Sequence, residues 1–147
     1  GLGLEGKVKF LGFQNIFDVL PKIGLMVLTS ISEALPLVIL EAYAAGLPCL
    51  ATDVGSCREL IEGGSEEDKA LGSAGEVVPI ADPDATARAA LRLLTDSERW
   101  HDAQRIGLER VEMFYTHKMM FDKYRDVYSE AIETFDATTQ SIKHGAS

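Results

Sequence analysis

The chain has 147 residues, of which 46% are hydrophobic and 25% are charged, a composition typical of a folded globular domain. Asp and Glu outnumber Lys and Arg by 23 to 14, for a formal net charge of −9. This charge disfavours non-specific binding to nucleic acid or to an anionic membrane, because both need basic patches. No apolar run reaches the roughly 18 residues of a transmembrane helix. Residues 59–147 carry 10 basic and 18 acidic side chains, so an anionic ligand meets less repulsion in residues 1–58.

Cysteine and histidine usage indicates no metal or disulfide chemistry. Cys49 and Cys57 are the only cysteines; two thiols are too few for a disulfide scaffold, and their spacing matches no zinc motif. We expect two buried, reduced thiols in a cytoplasmic protein. The three histidines, His101, His117 and His144, match no metal or catalytic-triad spacing and are expected at the surface.

Short apolar runs alternate with helical segments along the chain. The predicted strands are Lys7–Gly12, Gly24–Ser30, Leu47–Thr52 and Glu76–Ile80. The predicted helices are Asn15–Lys22 (a short helix or turn), Pro36–Ala45, Ser56–Ile61, Pro83–Leu94, Ser97–Phe114 and His117–Phe135. This alternation predicts the α/β class, with a parallel, Rossmann-like sheet of about four strands and flanking helices.

Two local signals support the helix boundaries. Pro36 and Gly46 suit the beginning and end of the second helix, and the sequence from Ser56 to Glu59 is a capping box for the third. The polar, acidic segment Glu62–Gly75 is predicted to be a surface loop, and the tail from Asp136 loses its apolar pattern.

The junction after the second predicted strand is the best candidate for a ligand site. Ligands bind at the carboxyl ends of strands in open parallel sheets, and the start of a helix offers free N–H groups and a positive dipole end to a phosphate. Because Pro36 has no N–H, the predicted donors are Leu35, Leu37 and Val38. The G-x-G-x-x-G at residues 1–6 leads into a predicted strand rather than a helix, and the sequence contains no Walker motif, which leaves little support for an oxidoreductase or a P-loop enzyme.

Glu33 and Glu41 flank this junction with the spacing E-x(7)-E. A phosphate at the helix start leaves Glu41 able to reach the hydroxyls of a sugar on one side and Glu33 able to reach a group on the other. The spacing alone also fits two solvated glutamates. An acid inside the apolar run PLVILEAYAA favours a function, because an uncompensated buried charge is costly.

The segment SISEALPLVILEAYAAGLPCLATDVGSCREL, followed by GEVVPIADP, resembles the donor-binding motif of retaining glycosyltransferases of family 4, which have the two-domain GT-B fold. It is similar in particular to the PelF-type glycosyltransferases of Pel exopolysaccharide synthesis, and the resemblance extends from Val8 to Tyr128. It implies that Glu33 contacts hydroxyls of the transferred sugar, that the following amides hold the diphosphate, and that Glu41 binds the ribose hydroxyls.

The resemblance also implies a reaction. The chain would be the donor-binding portion of a hexosyltransferase that moves a hexose, with UDP-glucose as the expected donor, to a polysaccharide or glycan acceptor with retention. The family chemistry needs no metal and no other cofactor. A membrane-bound polysaccharide export complex is a candidate partner, which would place a cytoplasmic enzyme at the periphery of the inner membrane.

The same resemblance divides the chain. Residues 1–116 would be part of a nucleotide-sugar-binding α/β domain, the incomplete C-terminal domain of a GT-B enzyme. Residues 117–135 would be the C-terminal crossover helix, and residues 136–147 a frayed tail. The acceptor-binding domain, and two strands that bear an Arg and a Lys for the diphosphate, would precede Gly1. We therefore expect the chain alone to be inactive.

Several alternatives stay open. Ala34 stands where the family usually has Gly, so a loop that needs a positive φ or a close approach to the sugar would be restricted. Phe13 suits either the nucleotide base or the core, and the segment from Asp53 to Ser56 either lines the cleft or is a plain turn. Alternative functions are a UDP-sugar epimerase of the same fold and a non-catalytic α/β module that binds a protein partner.

Overall fold

Three of the predicted strands pair side by side in a parallel sheet. In this computed structural model, which describes residues 3–116, they are β1 (Met26–Leu28), β2 (Cys49–Thr52) and β3 (Gly75–Val78). The sheet order is β1-β2-β3, with Met26 opposite Cys49 and Cys49 opposite Gly75. The predicted α/β class with a parallel sheet is confirmed.

The predicted helices within residues 3–116 are present in the predicted order, with one further short helix, Glu66–Lys69, among them. They are α1 (Ile16–Val19), which continues into a 3₁₀ turn (Leu20–Lys22), then α2 (Leu37–Ala44), α3 (Cys57–Glu62), α4 (Glu66–Lys69), α5 (Pro83–Thr95) and α6 (Ser97–Phe114). Asp82 caps α5 by accepting a hydrogen bond from the Ala85 amide at 2.8 Å, and Asp96 caps α6 in the same way.

The prediction of a strand at Lys7–Gly12 is wrong for this structure. The segment has no strand geometry, and its side chains are exposed, with Phe10 at 95% exposure. A strand is stable only when a neighbour pairs with its backbone. Within residues 3–116, β1 pairs with β2 alone, so the apolar pattern of this segment finds no partner and the sheet has three strands rather than four.

The two faces of the sheet build two adjoining cores. Because side chains alternate along a strand, Cys49 and Ala51 of β2 pack against α2 and α3, whereas Leu50 packs against α5. Helix α6 runs along α2, where Gly107 meets the ring of Tyr43. A Cβ atom at position 107 would lie 2.8 Å from that ring, so the glycine lets the two helices approach closely.

Two local predictions need correction. Ser56 precedes α3, but its side chain makes no capping hydrogen bond there; it donates to the loop after β1 instead. The segment Glu62–Gly75 is not simply a surface loop, because it contains α4, whose Asp68 is 2% exposed. Both corrections arise from contacts with residues distant in sequence, which outweigh the local pattern.

The predicted helix His117–Phe135 and the tail 136–147 lie outside the described residues. Among residues 3–116, none of the helices combines the length and the apolar character that crossing a membrane requires.

Candidate functional site

The loop between β1 and α2 lies at the carboxyl edge of the sheet. It carries Glu33, and α2, which begins directly after it, carries Glu41. The loops after β2 and β3 begin at the same edge, because all three strands are parallel. The structure therefore brings the two glutamates to the edge where ligands of parallel sheets bind.

The carboxylate of Glu33 is held within its own loop. Its Oε1 atom accepts a hydrogen bond of 2.6 Å from the hydroxyl of Ser30. Within residues 3–116, Oε2 has no hydrogen-bond partner. Glu33 is partly buried, so one oxygen is fixed and the other remains available to a ligand.

The end of β2 anchors the beginning of this loop. Thr52 is the last residue of β2 and is buried, and its hydroxyl donates to the backbone carbonyl of Ser30. The same hydroxyl lies 3.5 Å from the carbonyl of Leu28. One buried threonine thus holds the chain where it leaves β1.

The turn after β2 holds the other end of the loop. Ser56 donates twice to the carbonyl of Ala34, from its amide at 3.1 Å and from its hydroxyl at 2.7 Å. Gly55 has a φ of +50°, and a Cβ atom there would lie 1.9 Å from the carbonyl oxygen of Glu33. Glycine is therefore required for the turn after β2 to contact the loop after β1. The contact involves the two peptide groups on either side of Ala34.

The start of α2 offers free amides. Pro36 is the N-cap residue and provides no side-chain cap. Within residues 3–116, the predicted donors Leu35, Leu37 and Val38 give their N–H groups to no acceptor, whereas Ile39 already donates to the Pro36 carbonyl at 3.1 Å. Free amides at the positive end of a helix suit a phosphate.

Glu41 lies on the exposed side of α2. It is four residues beyond Leu37, which is about 6 Å along the helix axis, and its neighbours Ala42 and Tyr43 are fully buried. The carboxylate is therefore solvated, and no buried-charge penalty arises. The apolar run around Glu41 is explained by the opposite side of the helix, which packs into the core.

Ala34 adopts an ordinary backbone conformation. Among the described non-glycine residues, only Ala81 has a positive φ, of +56°. The strain expected from a methyl group at Ala34 is therefore absent here, and the residue is exposed.

Two grooves adjoin the loop. One, of about 390 Å³, is largely apolar and lies beside the start of α5, where Thr29, Thr52 and Ala81 line it. The other, of about 540 Å³, has several charged side chains in its lining and includes Asp53, Gly55 and Arg58. The turn predicted to line a cleft thus borders a groove as well as bracing the loop.

Arg58 pairs with two carboxylates in this charged groove. Its guanidinium donates to both carboxylate oxygens of Asp53, at 3.2 and 2.7 Å, and to both of Glu62, at 2.8 and 2.9 Å. These hydrogen bonds lower the pKa of Asp53 and raise the pKa of Arg58. Asp53 and Arg58 therefore stay charged and paired at neutral pH.

Phe13 does not join this arrangement in the described structure. It lies in the segment before α1, with its side chain fully exposed. The alternative that Phe13 packs in the core is wrong, and no hydrogen bond or ring contact described within residues 3–116 links it to Glu33 or Glu41. Its contact with a nucleotide base stays a prediction.

The two cysteines and His101 lie as the sequence predicts. Cys49 and Cys57 are free, buried thiols, and burial raises the pKa of both. His101 is exposed, and His117 and His144 lie outside the described residues. In the described part of the chain, no group of three His, Cys, Asp or Glu residues could hold a metal ion.

Sequence reasoning missed the residues that brace the loop, namely Ser30, Thr52 and Ser56. A signal for them was present. Polar residues that follow one parallel strand lie beside those that follow its neighbour, so the TSIS and ATDVGS segments after β1 and β2 had to meet at the same edge.

Comparison with known proteins identifies the family of the chain. The family described as "Glycosyl transferases group 1" matches residues 1–96. The chain is 31% identical over 132 residues to N-acetyl-alpha-D-glucosaminyl L-malate synthase of Bacillus anthracis, covering 89% of this chain and 32% of that protein. It is 37% identical over 109 residues to the lipopolysaccharide core biosynthesis mannosyltransferase LpsB of Rhizobium meliloti, covering 74% of this chain and 29% of that protein.

A solved structure of a sugar-synthesising enzyme shares the fold of this chain. Sucrose-phosphate synthase from Thermosynechococcus elongatus superimposes with a TM-score of 0.58 at 28% identity, covering 73% of this chain and 26% of that one. The chain thus spans about a third or less of the length of these relatives. With a family match over residues 1–96 and a shared fold, the chain belongs to the group 1 glycosyltransferases.

Proposed function

We propose that the chain forms the donor-binding portion of a retaining hexosyltransferase that transfers glucose from UDP-glucose to a polysaccharide or glycan acceptor. One observation carries the proposal: the loop with Glu33 and the uncapped start of α2, with Glu41 beyond it, share the carboxyl edge of the sheet. Membership of the group 1 glycosyltransferases supports the transfer of a sugar, and one relative is named a mannosyltransferase.

Three parts of the site bind three parts of the donor, namely its diphosphate, its ribose and its hexose. The free amides of Leu35, Leu37 and Val38 and the dipole of α2 bind the diphosphate and stabilise the charge that develops on it as it leaves. Glu41 accepts hydrogen bonds from the ribose hydroxyls. Glu33 accepts them from the hexose and orients its anomeric carbon toward the acceptor.

The chemical step needs no protein nucleophile. The bond between the anomeric carbon and the diphosphate oxygen breaks while a bond to an acceptor hydroxyl forms on the same face of the sugar. The hydroxyl proton passes to the departing diphosphate. The protein contributes electrostatic stabilisation of the transition state and alignment of the two substrates, without a metal or other cofactor.

The finer assignment rests on the resemblance of the segment from Ser30 to Leu60 to PelF-type glycosyltransferases. It supports UDP-glucose as the donor and exopolysaccharide synthesis as the process. The acceptor would bind to a further domain of the same enzyme, and the enzyme would work in the cytoplasm beside a membrane-bound export complex. Phe13 would stack on the uracil ring when that domain is in place.

Product analysis of the enzyme that contains this chain tests the proposal. The enzyme is incubated with UDP-glucose, UDP-galactose and GDP-mannose, with and without a glucan oligosaccharide acceptor, and the products are separated by mass spectrometry and NMR. We expect acceptor-dependent release of UDP from UDP-glucose and an α-linked product.

Other products would contradict the proposal in distinct ways. Conversion of UDP-glucose to another sugar without acceptor would identify a UDP-sugar epimerase. Absence of UDP binding by calorimetry, together with absence of turnover on all three donors, would favour a non-catalytic module that binds a protein partner. Transfer from GDP-mannose alone would retain the transferase and overturn the donor assignment.

A further inference from the structure

Ser30 makes the only hydrogen bond that the described structure gives to the side chain of Glu33. The bond joins the Ser30 hydroxyl to Oε1 of Glu33 at 2.6 Å. This length falls in the range of charge-assisted O–H···O⁻ bonds, which are stronger than neutral ones. A glutamate on a loop otherwise samples many rotamers, so this bond selects one of them.

Ser30 is itself fixed to the sheet. Its backbone carbonyl accepts a hydrogen bond from the buried hydroxyl of Thr52, the last residue of β2. On the other side of Glu33, the Ala34 carbonyl is held by Ser56. The backbone is therefore held on both sides of Glu33, and Ser30 extends that fixed frame to the carboxylate.

The hydrogen-bonding capacity of the two groups divides their roles. A serine hydroxyl has one proton to donate, and Ser30 gives it to Glu33. An ionised carboxylate accepts about four hydrogen bonds on its two oxygens. Ser30 uses one of these on Oε1, and Oε2 is left for a ligand. With its one proton given to Glu33, Ser30 has no proton left to donate to a sugar and could meet one directly only as an acceptor.

We infer that Ser30 is a positioning residue, which holds the Glu33 carboxylate in the orientation that receives the hydroxyls of the transferred hexose. The inference rests on the role of Glu33 in the proposed function. It predicts that loss of the Ser30 hydroxyl lowers turnover by misplacing Glu33, while the nucleotide, bound by the start of α2 and by Glu41, keeps its affinity.

The chain offers a matched control. Ser32 lies on the same loop, is exposed, and makes no side-chain hydrogen bond within residues 3–116. The substitutions Ser30→Ala and Ser32→Ala therefore remove the same atom from the same loop, but only the first breaks the bond to Glu33. Ser30→Thr keeps the hydroxyl and tests whether the bond itself matters.

A double-mutant cycle on the enzyme that contains this chain tests the inference. Wild type, Ser30→Ala, Glu33→Ala and the double variant are compared by kcat and KM for UDP-glucose and by calorimetric Kd for UDP. We expect Ser30→Ala to lower kcat about tenfold, as loss of one hydrogen bond to a charged group can do, with the UDP Kd unchanged within about twofold. Ser30→Thr should recover most of the loss, and Ser32→Ala should match wild type.

The cycle separates failure of this inference from failure of the proposed function. If Ser30 acts through Glu33, adding Ser30→Ala to Glu33→Ala should slow the enzyme no further. An equal slowing in both backgrounds, or wild-type turnover of Ser30→Ala beside a slow Glu33→Ala, would overturn the positioning role alone. Wild-type turnover of Glu33→Ala would overturn the proposed role of Glu33 itself. Thermal unfolding of each variant identifies any loss of activity that arises from misfolding. If Ser30→Ala is misfolded, the turnover of Ser30→Thr tests the role of the hydroxyl instead.

Discussion

The guanidinium of Arg110 in α6 is fully buried and forms an ion pair with Asp68 in α4, 42 residues earlier in the chain. Its nitrogens also donate to the carbonyls of Ile61 at 2.6 Å and of Gly72 at 2.7 Å. One side chain thus provides donors for backbone carbonyls at the end of α3 and in the segment between α3 and β3. These hydrogen bonds hold that segment against α6.

Substitution of Arg110 by Ala should destabilise the protein strongly. The change leaves Asp68 as an uncompensated buried charge and removes hydrogen bonds to four backbone carbonyls, and breaking a buried pair of this kind typically costs about 3–5 kcal/mol. Urea denaturation measures the free energy of unfolding. Arg105→Ala is the control, because Arg105 pairs with Asp102 and Glu109 on the exposed side of the same helix and should cost about 1 kcal/mol or less. Similar losses of unfolding free energy for both variants would show that the buried ion pair stabilises the protein no more than an exposed one.

Substitution of Gly55 by Ala should disturb the loop that carries Glu33. The new Cβ would lie 1.9 Å from the Glu33 carbonyl oxygen, and the residue has a φ of +50°. We expect a loss of about 2 kcal/mol or more in unfolding free energy and weaker binding of UDP-glucose. At Gly64 a Cβ would meet nothing closer than 3.9 Å, so Gly64→Ala is the matched control and should retain stability and binding. Normal donor binding by Gly55→Ala would refute the contact between the two loops.

The two cysteines should resist alkylation in the folded protein. Burial raises the pKa of the Cys49 and Cys57 thiols, which reduces the thiolate fraction at any given pH, and the thiolate is the reactive form. Iodoacetamide at pH 8, followed by peptide mass spectrometry, should leave both residues unmodified under native conditions and modify both in denaturant. Rapid native labelling of Cys57, which begins α3 beside the candidate site, would show that this helix opens.

Substitution of Glu41 and of Glu33 should have different consequences. Glu41→Ala should weaken UDP binding by about 1.5–3 kcal/mol, because two ribose hydroxyls lose a charged acceptor. Glu33→Ala should lower turnover while UDP binds normally, because its partner is the hexose. Calorimetry with UDP and steady-state kinetics with UDP-glucose separate the two effects.

Glu98→Ala is the control, because Glu98 is exposed at the start of α6 and borders a groove with Gly75, at the opposite edge of the sheet. Unchanged UDP affinity of Glu41→Ala would remove Glu41 from the site.

Transfer should proceed without a divalent metal. Asp82 and Asp84 stand in an Asp-x-Asp arrangement, but the Asp82 side chain is engaged in capping α5, and residues 3–116 contain no cluster that could hold a metal ion. We expect the same initial rate in the presence of EDTA as in its absence. A complete loss of activity that Mn²⁺ restores would contradict this and would make Asp82→Asn the next variant to measure.

The amino-acid sequence by itself determined the order of the elements and the place of the candidate site. Alternating apolar runs, Asp82 as a cap and the spacing of Glu33 and Glu41 are local features, and the periods of strands and helices are set by near neighbours. Because parallel strands end at one edge, the order strand, loop and helix was enough to bring the loop with Glu33 and the start of α2 to that edge.

Only the tertiary structure decided what fixes that site. The contacts of Thr52 with Ser30, of Gly55 with Glu33 and of Arg110 with Asp68 join residues 22 to 42 positions apart, and no local period encodes such pairings. The same reason explains Lys7–Gly12, whose apolar pattern favours a strand but whose backbone finds no partner among residues 3–116. It also explains Glu41, whose exposure depends on which side of α2 packs against the sheet and α6. Pairing and packing are non-local, so they were settled only when the elements came together.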